Sequence, residues 1–365
     1  MFSRVLSYLF LLVGAVHLYG EPLVYDCTKI VDKASVIPVL VVGGGPAGLS
    51  AAVYCSRDGY HTVVVEGPLP GGQITETGDV ENCPGVKKMH GGDIMLIQRQ
   101  QAEEAGVTLL SGSVTALNLN TWPFVATCDD GTTLRACAVV IATGAQAKTL
   151  NIPGERMYWG CGVSICAVCD AWAFNNKRVV VIGGGDSAAE QALQLSLHAQ
   201  QVTLLVRGSS LRASTIMQQK LARVPTITIE YHKEVREIVG NGQEVTGIII
   251  ADTRTEQPGN TVQTEQRAID GVFLAIGHLP RNELVVGQLD LDEHGCIHVA
   301  GRSQVALRNG QPVPGVCAAG EIADHEYRQL AVAFGDGSKA GKDIQRFLYS
   351  IGLTPQELRA WRTIN

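Results

Sequence analysis

The chain has 365 residues, of which 45% are hydrophobic, with 41 glycines and a formal net charge of −6. That length exceeds what one hydrophobic core usually serves, so two domains are expected, and the glycine content suits an α/β protein with many tight strand-to-helix turns. An acidic balance without a basic stripe excludes nucleic acid as a partner, and ten cysteines are too sparse for a disulfide-stapled mini-domain.

The N-terminus differs in character from the rest of the chain. Arg4 precedes an uncharged apolar run from Val5 to Val16, broken only by Ser7 and Gly14. The run is short for a bilayer span and has the proportions of a signal-peptide core, so residues 1–20 are expected to direct export or to tether the chain to a membrane.

From Ile37 the pattern becomes alternating strands and helices, as in parallel sheets with crossover helices. Val39–Val42 is predicted as a strand buried on both faces. It runs into Gly43-Gly44-Gly45-Pro46-Ala47-Gly48, a predicted helix through Arg57, and a strand Thr62–Val65 that ends at Glu66. In this setting Gly43 permits the tight turn, Gly45 lets backbone approach a pyrophosphate, and Gly48 lets helix pack on strand. The helix N-terminal amides face the phosphates, and Glu66 can accept hydrogen bonds from a ribose, so this unit is expected to bind a dinucleotide. Gly71-Gly72-Gln73 and Glu81-Asn82-Cys83-Pro84-Gly85 are read as loops, and Cys55, Cys137 and Cys317 as small core residues.

Ala142-Thr143-Gly144 and Asn151-Ile152-Pro153-Gly154 mark a turn-rich linker. Beyond it lies Cys166-Ala167-Val168-Cys169-Asp170. Two thiols at this spacing can close as a disulfide and reopen as a dithiol, one of them carrying a lowered pKa. A metal site would need two further soft ligands at matching spacing; there is no second Cys-x-x-Cys, and Cys161 has no histidine close by, so a redox pair and no metal is expected. Asp170 is placed either to shuttle protons or to cap a turn.

A second unit comes next: a predicted strand Arg178–Ile182, the turn Gly183-Gly184-Gly185-Asp186-Ser187-Ala188, a helix through about His198, and a strand Val202–Val206. No acid ends this strand. Arg207 stands there, with Arg212 just beyond, which suits a ribose carrying a 2′-phosphate and so NADP rather than NAD. Leu274-Ala275-Ile276-Gly277 and His278-Leu279-Pro280 form another crossing, and Pro314-Gly315-Val316-Cys317-Ala318-Ala319-Gly320 reads as a return to the first unit. The expected plan is a first domain over 36–150 and 281–350, with a second domain over 151–280 inserted into it. Thr354-Pro355-Gln356-Glu357 matches a capped helix start and predicts a short surface helix. Gly320-Glu321 and Tyr327-Arg328-Gln329 are ambiguous on their own.

Taken in order, the glycine turn at 43–48, Gly71-Gly72-Gln73, Glu81-Asn82-x-Pro84-Gly85, Ala142-Thr143-Gly144, the 166–170 segment, the glycine turn at 183–188 and Tyr327-Arg328-Gln329 resemble the low-molecular-weight thioredoxin reductases, from about Pro38 to about Leu348. The resemblance implies two Rossmann-like domains, with FAD in the first and NADPH in the inserted one, a homodimer, and thioredoxin or a thioredoxin-like protein as partner. It also implies a flavin-proximal Cys169, an interchange thiol at Cys166 and an acid–base Asp170. The FAD site would draw on Gly43, Gly45, Pro46, Ala47, Gly48, Glu66, Gly72, Gln73, Asn82, Thr143, Gly144, Gly320, Glu321, Arg328 and Gln329. The NADPH site would draw on Gly183, Gly185, Asp186, Ser187, Ala188, Arg207, Arg212 and Gly277. The chain departs from the family in carrying Glu321 where an aspartate is common, Val206 and Gly208 around Arg207, and Leu330 in place of a small residue. Two other readings stand beside this one: a relative acting on another dithiol or disulfide, and a flavin-binding module without turnover.

Overall fold

The computed structural model describes residues 23–362 apart from 28–29, 31, 77–78, 81 and 256–263; the leader-like residues 1–20 and Glu81 lie outside the described residues. Among the described residues no helix is long and apolar enough to cross a membrane.

The first sheet is built on Val36–Val42, whose side chains alternate between two buried faces. Val39 and Val41 pack with the helices Pro46–Arg57 and Leu330–Ser350, whereas Leu40 and Val42 join Phe124, Ile297 and Val316 on the other side. Burial on both faces explains why the run reads as continuously apolar. The strand pairs in parallel with Thr62–Val65 on one side and Thr133–Ile141 on the other, Val42 standing opposite both Val65 and Ile141. Gln311–Ala318 extends the parallel ladder at Thr133–Ile141. The chain's last third therefore completes the sheet that its first part began.

The second sheet has five strands in the order Val163–Ser164, Gly271–Leu274, Arg178–Ile182, Gln201–Val206 and Ile227–Tyr231. All four ladders in it are parallel. A three-stranded antiparallel sheet, Lys233–Gly240, Val245–Asp252 and Thr264–Ala268, packs on its outer side. The predicted strand over 62–65 and that over 178–182 have the observed bounds. The helix opening at Asp186 ends at Leu195, short of His198, because Ser196 caps it and His198 turns back onto the Leu195 carbonyl.

Where the chain leaves the first sheet and where it comes back, it pairs with itself. Ala145–Ala147 and His278–Pro280 form an antiparallel ribbon with His278 opposite Ala147. Both crossings are thus held at one place.

The helices Pro46–Arg57 and Leu330–Ser350 approach closely because glycine lines the contact: a Cβ on Gly337 would stand 2.1 Å from the Ala47 carbonyl oxygen. Cys55, Cys137 and Cys317 are buried, as expected of core residues. The C-terminal helix Pro355–Arg362 opens with the Glu357 amide donating to Thr354 Oγ1 at 3.2 Å. It is more than a surface helix, since Leu358 reaches the core beside Leu353.

Candidate active site

The redox segment sits at the start of a single helical turn, Ala167–Asp170, with Cys166 at its N-cap in extended conformation. Cys166 and Cys169 are joined as a disulfide, with Cα atoms 5.3 Å apart. The Cys169 amide donates to Cys166 Sγ at 3.2 Å and the Cys166 carbonyl accepts from the Asp170 amide at 3.1 Å. An amide aimed at a sulfur favours that sulfur as thiolate once the disulfide opens. Ser164, at the end of the buried strand Val163–Ser164, links the pair to the acid: its Oγ accepts from the Cys166 amide at 3.0 Å and donates to Asp170 Oδ2 at 2.5 Å. Burial pushes the Asp170 carboxyl up, against a smaller lowering by the Ser164 hydrogen bond. The turn lies against the short strand Asp79–Val80 of the first unit, and Lys88 Nζ stands 3.6 Å over the Trp172 ring, whose Nε1 donates to the Cys169 carbonyl at 3.0 Å.

At the first glycine turn, Gly43 has φ +111° and a Cβ there would stand 2.2 Å from the Ala142 carbonyl oxygen. At Gly48 a Cβ would lie 1.9 Å from the Gly43 carbonyl oxygen. Gly45 is the N-cap of Pro46–Arg57 and no side chain caps that helix, so its first amides are left for a ligand. Gly45 faces Gly72, and a Cβ on Gly72 would stand 3.4 Å from the Gly45 Cα. Side chains at either position would narrow the cleft between them. Gly320 packs on Ala47, which brings the returning chain to the same helix start.

Around this cleft stand the side chains expected to line a flavin. Gln73 Nε2 donates to the Ala145 carbonyl and, at 3.3 Å, to Glu321 Oε2. Asn82 Nδ2 donates to Gln329 Oε1 at 3.0 Å, and Thr143 Oγ1 to the Arg281 carbonyl at 2.7 Å. Gly144 accepts from the Arg281 amide at 3.0 Å. Burial raises the Glu321 carboxyl, with Arg328 opposing the shift. Arg328, at φ +48°, donates from Nη1 to His278 Nδ1 at 2.7 Å. Burial first, then Arg328 and Lys148, holds His278 neutral with a pKa of about 4. Leu330 packs among Val80, Cys83 and Ile94.

Glu66 does end its strand, but its carboxylate is engaged by Arg99 of helix Gly91–Glu104 and is almost wholly buried. Arg99, Ser164 and His278 are site residues that motif reading missed. Ser164, two residues before Cys166, had a local signal; the others lie 33 and 50 residues from their partners and had none.

The second cradle repeats the design. A Cβ on Gly183 would meet the Ala275 carbonyl oxygen at 2.4 Å, and Gly185 caps Asp186–Leu195 with no side-chain cap and open space around it. Ala188 lies 3.0 Å from the Gly183 Cβ position. Asp186 is engaged by the neighbouring loop, its Oδ1 accepting from the Ser214 amide at 2.6 Å. That loop folds back so that the Arg212 amide donates to the Gly184 carbonyl at 2.7 Å. Arg207 and Arg212 are exposed, and among the described residues neither has an acid partner. Val206 is buried in the core beneath the turn, 3.1 Å from the Gly184 Cβ position. Ser187 is exposed on the first helical turn, and Gly277, at φ +102°, accepts from the Lys148 amide at 2.9 Å.

A family model described as pyridine nucleotide-disulphide oxidoreductase matches residues 37–337. Thioredoxin reductase of Streptomyces clavuligerus is 40% identical over 320 residues, covering 87% of this chain and 96% of that protein. The chain belongs to the thioredoxin reductase family. Thioredoxin reductase of Rickettsia felis is 38% identical, over 85% of this chain and 97% of its own. The solved thioredoxin reductase from Giardia duodenalis superposes with a TM-score of 0.78 at 37% identity, over 86% of this chain and 99% of that one. As a thioredoxin reductase family member the chain is an FAD- and NADPH-dependent oxidoreductase, and the two uncapped glycine turns fit the two dinucleotides.

This geometry has two testable outcomes. Because Asp170 is raised above the ordinary 3.8, its folded state binds a proton more tightly than its unfolded state; the cost of burying the carboxylate is absent below the ordinary value and grows as pH rises through the folded-state value. Asp170→Asn, which keeps an acceptor for Ser164, is expected to raise the melting temperature at neutral pH, with a gain that shrinks toward about pH 4. Thermal melts across that range check it, and a gain growing toward acid would contradict the burial. Arg207→Ala and Arg212→Ala are each expected to raise KM for NADPH about tenfold while leaving KM for NADH little changed, the loss of one charge-assisted contact to phosphate. Equal effects on both nucleotides in steady-state kinetics would remove the arginines from that role.

Proposed function

We propose that the chain reduces the disulfide of thioredoxin or a thioredoxin-like protein with electrons from NADPH, with the net change NADPH + H⁺ + disulfide → NADP⁺ + dithiol. The observation that carries this reading is the Cys166–Cys169 disulfide at the head of one helical turn, with the buried Asp170 tied to it through Ser164. The two glycine cradles would hold FAD and NADPH, which would supply the hydride and electron-transfer chemistry for opening this disulfide to a dithiol.

The protein's own groups then do the exchange. Cys166, assisted by the Cys169 amide, attacks one sulfur of the partner's disulfide; a mixed disulfide forms and one partner thiolate leaves. Cys169 attacks Cys166 Sγ, which closes the internal bond again and releases the second partner thiolate. Asp170 holds a proton more tightly than an ordinary aspartate and delivers it to a leaving sulfur, while Ser164 fixes the carboxyl in place.

In assay, NADPH oxidation with a dithiol-specific reagent is expected only when thioredoxin is added. Cys166→Ser should still let NADPH bleach the yellow protein anaerobically but abolish transfer to thioredoxin. Normal thioredoxin reduction by that variant would contradict the exchange through the Cys166–Cys169 pair, and no stimulation by any thioredoxin would move the activity to another disulfide.

Export belongs to the same proposal, on the strength of Arg4 and the apolar run Val5 to Val16. Fractionation of the native host with N-terminal sequencing of the mature chain should find residues 1–20 removed or membrane-held; an intact N-terminus in the cytosolic fraction would contradict it.

A further inference from the structure

Beneath the loop that carries Arg328 and Gln329 lies a second cluster of reactive side chains. A turn closed by the Leu291–Ile297 bridge carries Asp292, His294 and Cys296, and His325 comes to it from the segment between Glu321 and Arg328. One ligand atom each from Asp292, Cys296 and His325 lies within 4.8 Å of the others. The Asp292 carboxylate is already oriented: Oδ1 accepts the amides of His294 and Cys296, each at 2.8 Å, which leaves Oδ2 3.3 Å from His325 Nδ1. The Cys296 thiol is buried and contacts the Glu321 carbonyl oxygen at 3.6 Å. His294 stacks on His325 with ring centroids 4.1 Å apart.

We propose that Asp292, Cys296 and His325 form a zinc(II) site that clamps the 291–297 turn to the segment between the flavin-site residues Glu321 and Arg328.

Thiolate, imidazole and carboxylate are the donor set zinc takes, whereas calcium and magnesium want oxygen alone. Zinc bonds of about 2.0–2.3 Å put tetrahedral ligand atoms roughly 3.3–3.8 Å apart. The Asp292–His325 edge is already there, so closing the site needs only about an ångström of side-chain motion. One thiolate and one carboxylate neutralise the ion. The thiol proton leaves on binding, the imidazole proton moves to Nε2, and water takes the fourth place. No sequence rule flags this set, because ligands at 292, 296 and 325 match no common zinc spacing.

The test is equilibrium dialysis of the oxidised, flavin-loaded full chain against zinc chloride in a non-chelating buffer, with metal counted by mass spectrometry. Oxidation keeps Cys166 and Cys169 closed, so they cannot serve as ligands. About one zinc per chain is expected for the parent and for Cys161→Ala, and none at the same free zinc for Cys296→Ala. His325→Ala, on the surface, decides the matter if Cys296→Ala does not fold; its affinity should fall by more than the 10–100-fold typical of losing a residue that merely supports a ligand. Failure of the parent to hold zinc would overturn the assignment. So would parental occupancy in a folded Cys296→Ala or His325→Ala, or loss of zinc in Cys161→Ala.

Discussion

The antiparallel pairing of Ala145–Ala147 with His278–Pro280 is the constraint on which the rest of the arrangement depends. A domain inserted into another must leave and re-enter through two chain crossings, and here the crossings satisfy one another's backbone groups. Groups of the candidate flavin site then fasten to the ribbon. Gln73 donates to the Ala145 carbonyl, Arg328 to His278, and Thr143 to the carbonyl of Arg281 just past the return. Because His278 accepts from Arg328 and is buried, it stays neutral, and the crossing acts as a fixed acceptor rather than a second positive charge beside the arginine.

Close backbone approach does the equivalent work in the two cradles. Where a Cβ at Gly48 would lie 1.9 Å from one carbonyl oxygen and at Gly183 2.4 Å from another, no side chain larger than hydrogen is compatible with the observed chain path. The helix starts left uncapped there present several amides to anions without further conformational change. The two cradles differ in what lies past the next strand. A buried carboxylate paired with Arg99 ends the first, and exposed guanidiniums stand beyond the second.

A similarly compact arrangement ties the disulfide to the buried acid. One hydroxyl, Ser164 Oγ, meets both the Cys166 amide and the Asp170 carboxyl, so the backbone of the redox turn and the carboxyl beside it are held by the same atom. A strand end is the rigid place to put such an atom, and Ser164 is paired in register with Phe273 of the sheet.

Sequence by itself determined what depends on neighbours along the chain. Apolar runs of strand length, glycine at turns, paired cysteines and a Thr-Pro-x-Glu helix start are local signals, and strands 62–65 and 178–182 and both glycine turns were legible from them. Tertiary structure alone decided what depends on distant residues meeting. Arg99 on Glu66, His278 under Arg328, Gln73 between Ala145 and Glu321, and Asp186 on the Ser214 amide join residues that no periodicity connects. The physical reason is that a side chain's charge and hydrogen-bonding capacity are written in its identity, but its partner is set by which strands the fold lays side by side. Glu66 shows this plainly: the sequence placed an acid at the end of a strand, and only the packing of helix Gly91–Glu104 against it supplied the arginine that shares its carboxylate.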